Sequence, residues 1–259
     1  MTARSEHGRV IRFLEGLGGY LLFFTDTVKW TFRPPFDAKN AITQMVEIGY
    51  NSISVTTVTL FFTGMVMALQ IGKAMDKILT GSSIFIGSAV AISMFRELCP
   101  VITALLLAGR VGSAIAAEIG TMKVTEQIDA LVTLSANPVQ YLSVPRFLAC
   151  LVMTPMLTVL TDIVGVLGGG VVAYFGLGIT LDKYIENILQ NLSALDFLTG
   201  IFKSVFFGVE IAIIACYQGF NTSGGAEGVG KSTIQAVVKS SMAVLISDYF
   251  LTYLLQFIE

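Results

Sequence analysis

The sequence predicts an all-α polytopic membrane protein, and this prediction rests on its composition and on its long apolar runs. Hydrophobic residues make up 54% of the 259 residues and charged residues 13%, compared with roughly 25% charged residues in ordinary globular proteins. The mean hydropathy is +0.76. Because a soluble domain of this size needs a larger polar surface, lipid is the predicted solvent for most of the chain.

The N-terminal region, residues 1–47, is predicted to be cytoplasmic and to contain a helix at 9–32 that lies in the membrane interface. Trp30 stands near its end as an aromatic anchor, and Pro34 and Pro35 end the helix. The apolar residues that recur at helical spacing are Val10, Phe13, Leu14, Leu17, Leu21, Phe24 and Val28. A cleaved signal peptide is the alternative, but the scattered charges and the missing small-residue cleavage site disfavour it.

Five apolar runs in residues 48–259 are each long enough to cross a hydrocarbon core about 30 Å thick. The second run exceeds one perpendicular crossing, so its helix is predicted to be tilted, broken at Pro100 or extended beyond the bilayer. Gly165 and Gly169 in the third run are predicted to pack against a neighbouring helix. The five predicted spans are 48–72, 78–109, 147–181, 197–220 and 236–258.

Lysine and arginine positions predict the orientation of these spans. Eleven of these residues fall in the N-terminal segment, the loop after span two and the loop after span four, and four fall on the opposite side. Cytoplasmic loops carry the excess of basic residues. The N-terminus is therefore predicted to be cytoplasmic and the C-terminus to lie outside.

The composition disfavours several classes of function. The sole histidine, His7, lies in the polar N-terminal stretch, which excludes sites built from several histidines. Cys99, Cys150 and Cys216 stand singly in apolar runs and are predicted to be buried hydrophobic side chains. The net charge of −2 provides no basic field for binding nucleic acid.

Residues 225–232 match the G-x-x-x-x-G-K-[ST] pattern of phosphate-binding loops. That pattern binds phosphate when a buried strand precedes the loop and the N-terminus of a helix follows it. Here one apolar span precedes the pattern and another follows it. The segment is therefore predicted to be a glycine-rich cytoplasmic turn and not a nucleotide site.

The segment 96–131 combines three features. Arg96 and Glu97 form an ionisable pair inside a span, and the small residues between Ala108 and Ala117 permit close helix approach. The polar part that follows predicts a short amphipathic helix, whose mixed charges favour docking to a soluble partner over binding to lipid headgroups. Its apolar face consists of Val124, Ile128, Leu131 and Val132.

In the segment 96–131 the sequence resembles the MlaE/YrbE permeases, which are the membrane subunits of ABC transporters that act with MCE-domain proteins. The likeness extends through 145–147, 203–205 and 241–252 and covers nearly the whole chain after the N-terminal helix. The sequence departs from the family pattern at Cys99, where glycine is usual, and at 135–136, where a Leu-Gly step is common.

The resemblance implies a homodimeric permease with a cytoplasmic coupling helix between spans two and three, at about 118–134. This helix would seat in a groove of a separate ATP-binding subunit, which binds ATP and magnesium, while this chain binds no cofactor. The residues that the resemblance assigns to docking are Glu118, Lys123, Glu126 and Asp129.

The resemblance also implies a lipid cavity at the dimer interface, open towards the periplasm beneath a hexameric ring of MCE domains. Spans one, two and five line this cavity, and its expected contributors are Met67, Gln70 and Glu97. The implied cargo is phospholipid or a related lipid that moves between the inner and outer membranes of a bacterium. A small STAS-like regulatory subunit is a further implied partner.

Charges inside the spans need a reason, because each costs about 3 kcal/mol at mid-bilayer even on a lenient scale. Glu97 is predicted to face the polar cavity, with an ion pair to a neighbouring helix as the alternative. The residues predicted to form interhelical hydrogen bonds are Asp162, Lys203, Glu210 and Asp248.

Two other functions are alternatives to an ABC permease. One is an ion-coupled carrier that uses intramembrane carboxylates, and the other is a scaffold without transport activity.

Overall fold

The structure, a computed structural model, describes residues 2–34, 37–78 and 85–257, and helices contain nearly all of them. In chain order they are α1 Thr2–Thr31, α2 Ala38–Ile78, α3 Ile86–Val124, α4 Gln127–Thr133, α5 Val139–Leu177, α6 Leu181–Asn191, α7 Ala194–Phe220 and α8 Gly225–Leu255. Helices α2, α3, α5, α7 and α8 are long and apolar enough to cross a membrane. No strand occurs within the described ranges. The predicted all-α polytopic fold is confirmed.

The spanning helices are longer than the apolar runs that predicted them. Helix α2 begins at Ala38, before the apolar run that starts at Ile48, and α3 continues past Gly109 to Val124. Lysine, glutamate and glutamine are good helix formers, so these helices continue into the headgroup region and water. Three parts of the predictions lie outside the described residues, namely Pro35, residues 79–84 of the second span and residues 258–259.

The predicted glycine-rich turn at residues 225–232 is wrong, because α8 begins at Gly225. The turn ends where α8 begins, and Gly224, the last residue before α8, and Gly225, its first residue, take positive φ angles of 91° and 65°. Glu227 and Lys231 then form an i,i+4 ion pair at 2.6 Å on the helix surface. In a continuing helix the backbone N–H groups bond to the carbonyls of the preceding turn. This segment therefore does not form a phosphate-binding loop.

Helix α1 packs against α5 and α7 through aromatic and polar contacts. The side-chain amide of Gln218 donates a hydrogen bond to the hydroxyl of Tyr20, and the ring centroids of Phe24 and Phe147 lie 6.4 Å apart. Burial raises the pKa of Tyr20, and the hydrogen bond with Gln218 opposes this rise. From residue 15 to the end of α1, the exposed large apolar side chains are Leu17, Leu21 and Leu22, as expected for a helix with one face towards lipid.

The α2–α5 pair is tightly packed, and the backbones of the two helices approach through glycine. A Cβ atom at Gly64 would overlap the carbonyl oxygen of Gly165, and one at Gly168 would overlap that of Phe61. A Cβ atom at Gly169 would lie 2.7 Å from the hydroxyl oxygen of Tyr184 in α6. The glycines of α5 therefore allow close packing against both α2 and α6.

Helix α6 is amphipathic and was not predicted. Its Asn187 accepts a hydrogen bond from the backbone N–H of Ser88 at 2.8 Å, and the Tyr184 hydroxyl donates to the carbonyl of Val166 at 3.1 Å. Burial raises the pKa of Tyr184, which keeps its hydroxyl in the donating form. These contacts fix α6 against α3 and α5 at the end of α3 that is remote from α4.

Candidate functional site

A buried ion cluster joins α3, α7 and α8. The side chain of Lys203 has 0% exposure, and its Nζ lies 2.6 Å from Oε2 of Glu97 and 3.1 Å from Oδ1 of Asp248. The same Nζ donates to Oγ1 of Thr252 at 2.6 Å and to the carbonyl oxygen of Arg96 at 3.2 Å. We refer to Lys203, Glu97, Asp248 and Thr252 as the ion cluster. Its side chains bring one ammonium group together with two carboxyl groups.

The local shape of α3 sends its two adjacent charges to different partners. Residues Met94–Leu98 form a π-helical segment directly before Pro100. Such a segment accommodates a residue that has no N–H to donate, and Pro100 consequently does not break the helix. Arg96 Nη1 lies 3.2 Å from Oδ1 of Asp196, whereas Glu97 belongs to the ion cluster.

The three residues predicted to contribute to a lipid cavity have different surroundings. Glu97 bonds to Lys203 and Thr252 and not to Gln70, yet its side chain is 40% exposed. On α2, Gln70 is exposed and Met67 is half-buried. Glu97 therefore forms the ion pair that was the alternative prediction, and its carboxylate is still accessible from outside the helix bundle.

The other intramembrane carboxyl groups differ from one another. Glu210 Oε2 accepts a hydrogen bond from the hydroxyl of Ser247 at 2.9 Å and so connects α7 to α8, as predicted. Asp162 is only 1% exposed, and the polar group that faces its carboxyl group is the thiol of Cys99 in α3. A thiol is a weak hydrogen-bond donor, so Asp162 contacts a neighbouring helix, as predicted, through a weak partner.

The range predicted as one coupling helix, about 118–134, contains two helical pieces. Its first residues are the last turns of α3, and α4 begins at Gln127 after a bend at Glu126, which takes a left-handed φ of 59°. Ser135, just after α4, also has a φ of 59°. Ile128 is 5% exposed and packs α4 onto the core. Helix α4 is therefore a separate short helix with a fixed bend at each end.

The four predicted docking residues fall into two groups. Glu118 Oε2 lies 2.7 Å from Nη2 of Arg146, whose side chain is 4% exposed, so this ion pair joins α3 to the start of α5. Lys123 Nζ lies 3.2 Å from Oδ1 of Asp129 across the bend, and both side chains are accessible. Glu126 at the bend is exposed. Lys123, Glu126 and Asp129 therefore surround α4, whereas Glu118, whose side chain is 55% exposed, lies earlier on α3 and faces Arg146.

Two apolar side chains complete this surface. Val132 is 57% exposed and Leu134 is 77% exposed. Val132 belongs to the apolar face that the sequence predicted, but the sequence analysis missed Leu134, which lies one residue before the bend at Ser135. We define the α4 surface as Lys123, Glu126, Asp129, Val132 and Leu134. Apolar side chains with a charged rim are typical of protein interfaces.

Comparison with known proteins connects this geometry to a family. The sequence profile of Permease MlaE matches residues 41–254, which include the ion cluster and the α4 surface. This chain belongs to the MlaE permease family. A probable ABC transporter permease protein of Rickettsia felis is 42% identical over 252 residues, which cover 97% of this chain and 96% of that protein.

Two further relatives come from photosynthetic organisms. A probable ABC transporter permease protein of Synechocystis is 46% identical over 218 residues, which cover 84% of this chain and 82% of that protein. The chloroplastic protein TRIGALACTOSYLDIACYLGLYCEROL 1 of Arabidopsis thaliana is 37% identical over 214 residues, which cover 83% of this chain and 61% of that protein.

Membership of the MlaE permease family makes this chain the permease of an ABC transporter. It is a multi-pass membrane component and not the ATP-hydrolysing subunit, and an ATP-binding partner is implied. The helical structure of residues 225–232 agrees with this assignment, because the phosphate-loop pattern there has no loop.

In this MlaE permease, the Lys231→Ala substitution is expected to leave the ATPase rate of the assembled transporter unchanged. Lys231 lies on the surface of α8 beside Glu227, and exposed i,i+4 pairs contribute only about 0.3–0.5 kcal/mol to stability. Phosphate release by the purified wild-type and variant complexes measures the rate. Loss of hydrolysis in a fully assembled complex would contradict the surface position of Lys231.

Proposed function

We propose that this chain is the membrane subunit of a homodimeric ABC transporter that moves phospholipids or related lipids between the inner and outer membranes of a bacterium. Separate subunits bind ATP and magnesium and dock on the α4 surface. An MCE-domain ring exchanges lipid with the dimer on the opposite side, and a small STAS-like subunit regulates the complex. The N-terminus and the α4 surface face the cytoplasm, and the C-terminus faces the periplasm.

Two observations support a lipid as the cargo. The relative from Arabidopsis is named after trigalactosyldiacylglycerol, a membrane glycolipid. In this chain, Glu97 and Arg96 retain side-chain exposures of 40% and 29% inside a spanning helix. Polar groups at membrane depth mark substrate paths in many membrane proteins. These two side chains offer hydrogen-bonding groups to a lipid headgroup held between two copies of the chain.

The continuity of α3 is the observation that carries the proposal. The helix runs from Ile86 to Val124 without a break, so one element connects Glu97 in the ion cluster to the bend before α4. At 1.5 Å per residue this connection is about 40 Å long. A displacement of α4 is therefore transmitted along a single helix to the accessible carboxylate.

The Glu118–Arg146 pair extends this connection to a second spanning helix. Because it ties the end of α3 to the start of α5, both helices move with α4. ATP binding closes the two partner subunits, and the cavity between the two copies then narrows and releases its lipid. A ligand shifts such a two-state element only through its different affinities for the two states. The energy of ATP binding consequently enters through the α4 surface.

Reversing the charges on the α4 surface tests the proposal. The double variant Glu126→Lys/Asp129→Lys removes the Lys123 ion pair and places three cations at the bend, so it is expected to uncouple ATP hydrolysis from lipid movement. The measurement is lipid-stimulated ATPase activity together with lipid transfer from proteoliposomes that contain the complete complex. Glu227→Lys, an exposed charge reversal at the start of α8, is the matched control and is expected to behave as wild type.

The alternative functions give different results in the same assays. Unchanged lipid-stimulated turnover in the double variant would count against docking through the α4 surface. If the double variant loses assembly while lipid transfer survives, the chain acts as a scaffold. Transport by the purified chain alone under an ion gradient would indicate an ion-coupled carrier.

A further inference from the structure

A cavity of about 510 Å³ lies where α1 ends and where α2 and α5 begin, and the proposed function does not use it. The exposed side chains of Arg33 and Asp37 lie at its mouth. Its floor contains the buried Ala41 and Val144 and the half-buried Leu148. We refer to the space between these five residues as the interfacial cavity. Its size, its apolar floor and its few polar groups are typical of sites for small ligands.

The interfacial cavity lies at the depth of α1. The ring centroids of Phe24 in α1 and Phe147 in α5 lie 6.4 Å apart, and Leu148, which lines the floor, follows Phe147 directly. The other α5 residues of the lining lie three to eight residues before Leu148, on the side away from the bilayer centre. Trp30 also lines the cavity, and tryptophan is enriched at membrane interfaces. Since interfacial helices lie at the boundary between headgroups and acyl chains, the cavity opens into the headgroup layer.

Two contacts hold Arg33 at the mouth of the cavity. Its Cζ lies 5.1 Å from the ring centroid of Trp30, and its backbone carbonyl accepts a hydrogen bond from Nε2 of Gln140 at 2.9 Å. The second contact ties the end of α1 to the start of α5. Among the residues that the structure describes, no carboxylate forms an ion pair with Arg33. A cation–π contact uses the face of a guanidinium and leaves the N–H donors at its edge for acceptor oxygens.

The interfacial cavity also contains an anionic group. Asp37 Oδ1 accepts a hydrogen bond from the backbone N–H of Asn40 at 3.1 Å and caps α2, which uses one oxygen of this carboxylate. Asn137 caps α5 in the same way, because its Oδ1 accepts from the backbone N–H of Val139 at 2.9 Å. Both helix ends are therefore occupied by side chains of this chain. The groups that remain for a ligand are the cation of Arg33 and the anion of Asp37, which do not pair with each other in the structure.

We infer that the interfacial cavity binds the phosphoethanolamine headgroup of a phospholipid in the leaflet that contains α1. The phosphate oxygens accept charge-assisted hydrogen bonds from the guanidinium of Arg33, and the ammonium group donates to the carboxylate of Asp37. The apolar floor buries the first methylene groups of the acyl chains, which adds a hydrophobic contribution. A zwitterionic headgroup thus satisfies both unpaired charges at once.

This site is distinct from the ion cluster. Cys99, two residues after Glu97, contacts the carbonyl oxygen of Thr161 in α5 through its Sγ at 3.5 Å. Thr161 lies thirteen residues beyond Leu148 along α5, which is about 20 Å. The bound lipid is therefore not the proposed cargo, and failure of this inference would leave the proposed function standing.

Binding of defined lipids to the full chain in neutral detergent micelles tests the inference. Native mass spectrometry compares phosphatidylethanolamine with phosphatidylglycerol, which has the same acyl chains and a phosphate but no ammonium group. The wild type is expected to bind phosphatidylethanolamine more tightly, and Arg33→Gln is expected to weaken this binding about tenfold. Asp37→Asn is expected to weaken it about threefold without weakening phosphatidylglycerol binding. Because asparagine also caps helices, Asp37→Asn leaves the start of α2 intact.

A control variant and a cross-linking measurement localise the bound lipid. Lys29→Gln removes an exposed cation of α1 that does not line the cavity and is expected to bind phosphatidylethanolamine as the wild type does. Cross-linking with a photoactivatable phosphatidylethanolamine, followed by peptide mapping, is expected to label residues 30–41 and 137–148. A lipid in the proposed cargo cavity would label the region of Glu97 instead. If Arg33→Gln does not fold, Asp37→Asn and the cross-linking decide the outcome.

Three outcomes would overturn the inference. The first is equal phosphatidylethanolamine affinity in the wild type and in the folded Arg33 and Asp37 variants. The second is displacement of the lipid by glycerophosphoethanolamine at equal concentration, which would indicate a site for a soluble compound. The third is weaker co-purification of the ATP-binding partner with Arg33→Gln while lipid binding is unchanged, which would indicate that the cavity receives part of that partner.

Discussion

Replacing Lys203 with methionine is expected to destabilise the protein by about 3 kcal/mol, because the change leaves Glu97 and Asp248 without their cation. Removing one partner of a buried ion pair costs about 3–5 kcal/mol. The effect falls at the lower end because the Glu97 and Asp248 side chains are 40% and 20% exposed. Unfolding of the purified chain in mixed micelles titrated with sodium dodecyl sulfate measures the change.

Two comparisons sharpen this experiment. Lys231→Met breaks an ion pair whose side chains are 70% and 79% exposed, so it is expected to change stability by less than about 0.5 kcal/mol. Combining Lys203→Met with Glu97→Gln and Asp248→Asn removes every charge of the ion cluster and is expected to restore most of the lost stability. A Lys203→Met variant as stable as the wild type would contradict the buried ion cluster.

The neutral triple variant also separates stability from transport. If it is stable but the assembled transporter no longer transfers lipid, the ion cluster acts in transport beyond holding α3, α7 and α8 together. If it transfers lipid at the wild-type rate, the cluster is structural, and Glu97 is not required as a charged group. Assembly with the partner subunits is checked by co-purification, so that a failure to assemble is not counted as a loss of transport.

The sequence predicted the five spans because hydropathy is a local property that requires no knowledge of neighbours. Helix α6 could not be found in this way. It is short, and polar residues separate its apolar ones, so it forms no long apolar run. Its fixed position depends on the contact between Asn187 and Ser88, which are 99 residues apart. The turn predicted at 225–232 was wrong because glycine lowers helix propensity. The turn in fact occupies only the residues before Gly225, and α8 continues through the remaining glycines.

For the candidate site, the sequence identified the charged residues inside the spans but not all of their partners. Lys203 and Glu97 are 106 residues apart, and no local pattern specifies which carboxylate a buried lysine meets. The bend at Glu126 was equally hidden, since glutamate is a good helix former and carries no signal for a left-handed φ of 59°. The amphipathic pattern nevertheless placed Ile128 and Val132 on one face, of which the structure buries Ile128 and exposes Val132.

Replacing Gly64 with leucine is expected to prevent stable packing of α2 against α5. Even a Cβ atom at this position would overlap the carbonyl oxygen of Gly165, so the two backbones must move apart. Overpacking a well-packed core costs about 1–3 kcal/mol and occasionally more. Here the obstacle is a backbone carbonyl, which cannot move aside by a rotamer change as a side chain can. The cost is therefore expected to reach or exceed about 3 kcal/mol. Size-exclusion chromatography and unfolding in mixed micelles measure the loss of folded protein.

The size of the substituent and the position of the glycine provide the controls for Gly64→Leu. Gly64→Ala adds only the overlapping Cβ atom, so it is expected to destabilise the pair as well, though by less than leucine. Gly230→Ala adds the same atom on α8, where no other atom lies within 4 Å, and is expected to be neutral or to stabilise by up to about 1 kcal/mol. If Gly64→Ala and Gly230→Ala are equally stable, the backbones of α2 and α5 do not approach as closely as the glycine contacts require. In that case the packing of α2 would depend on its larger side chains, such as Leu60, which is fully buried.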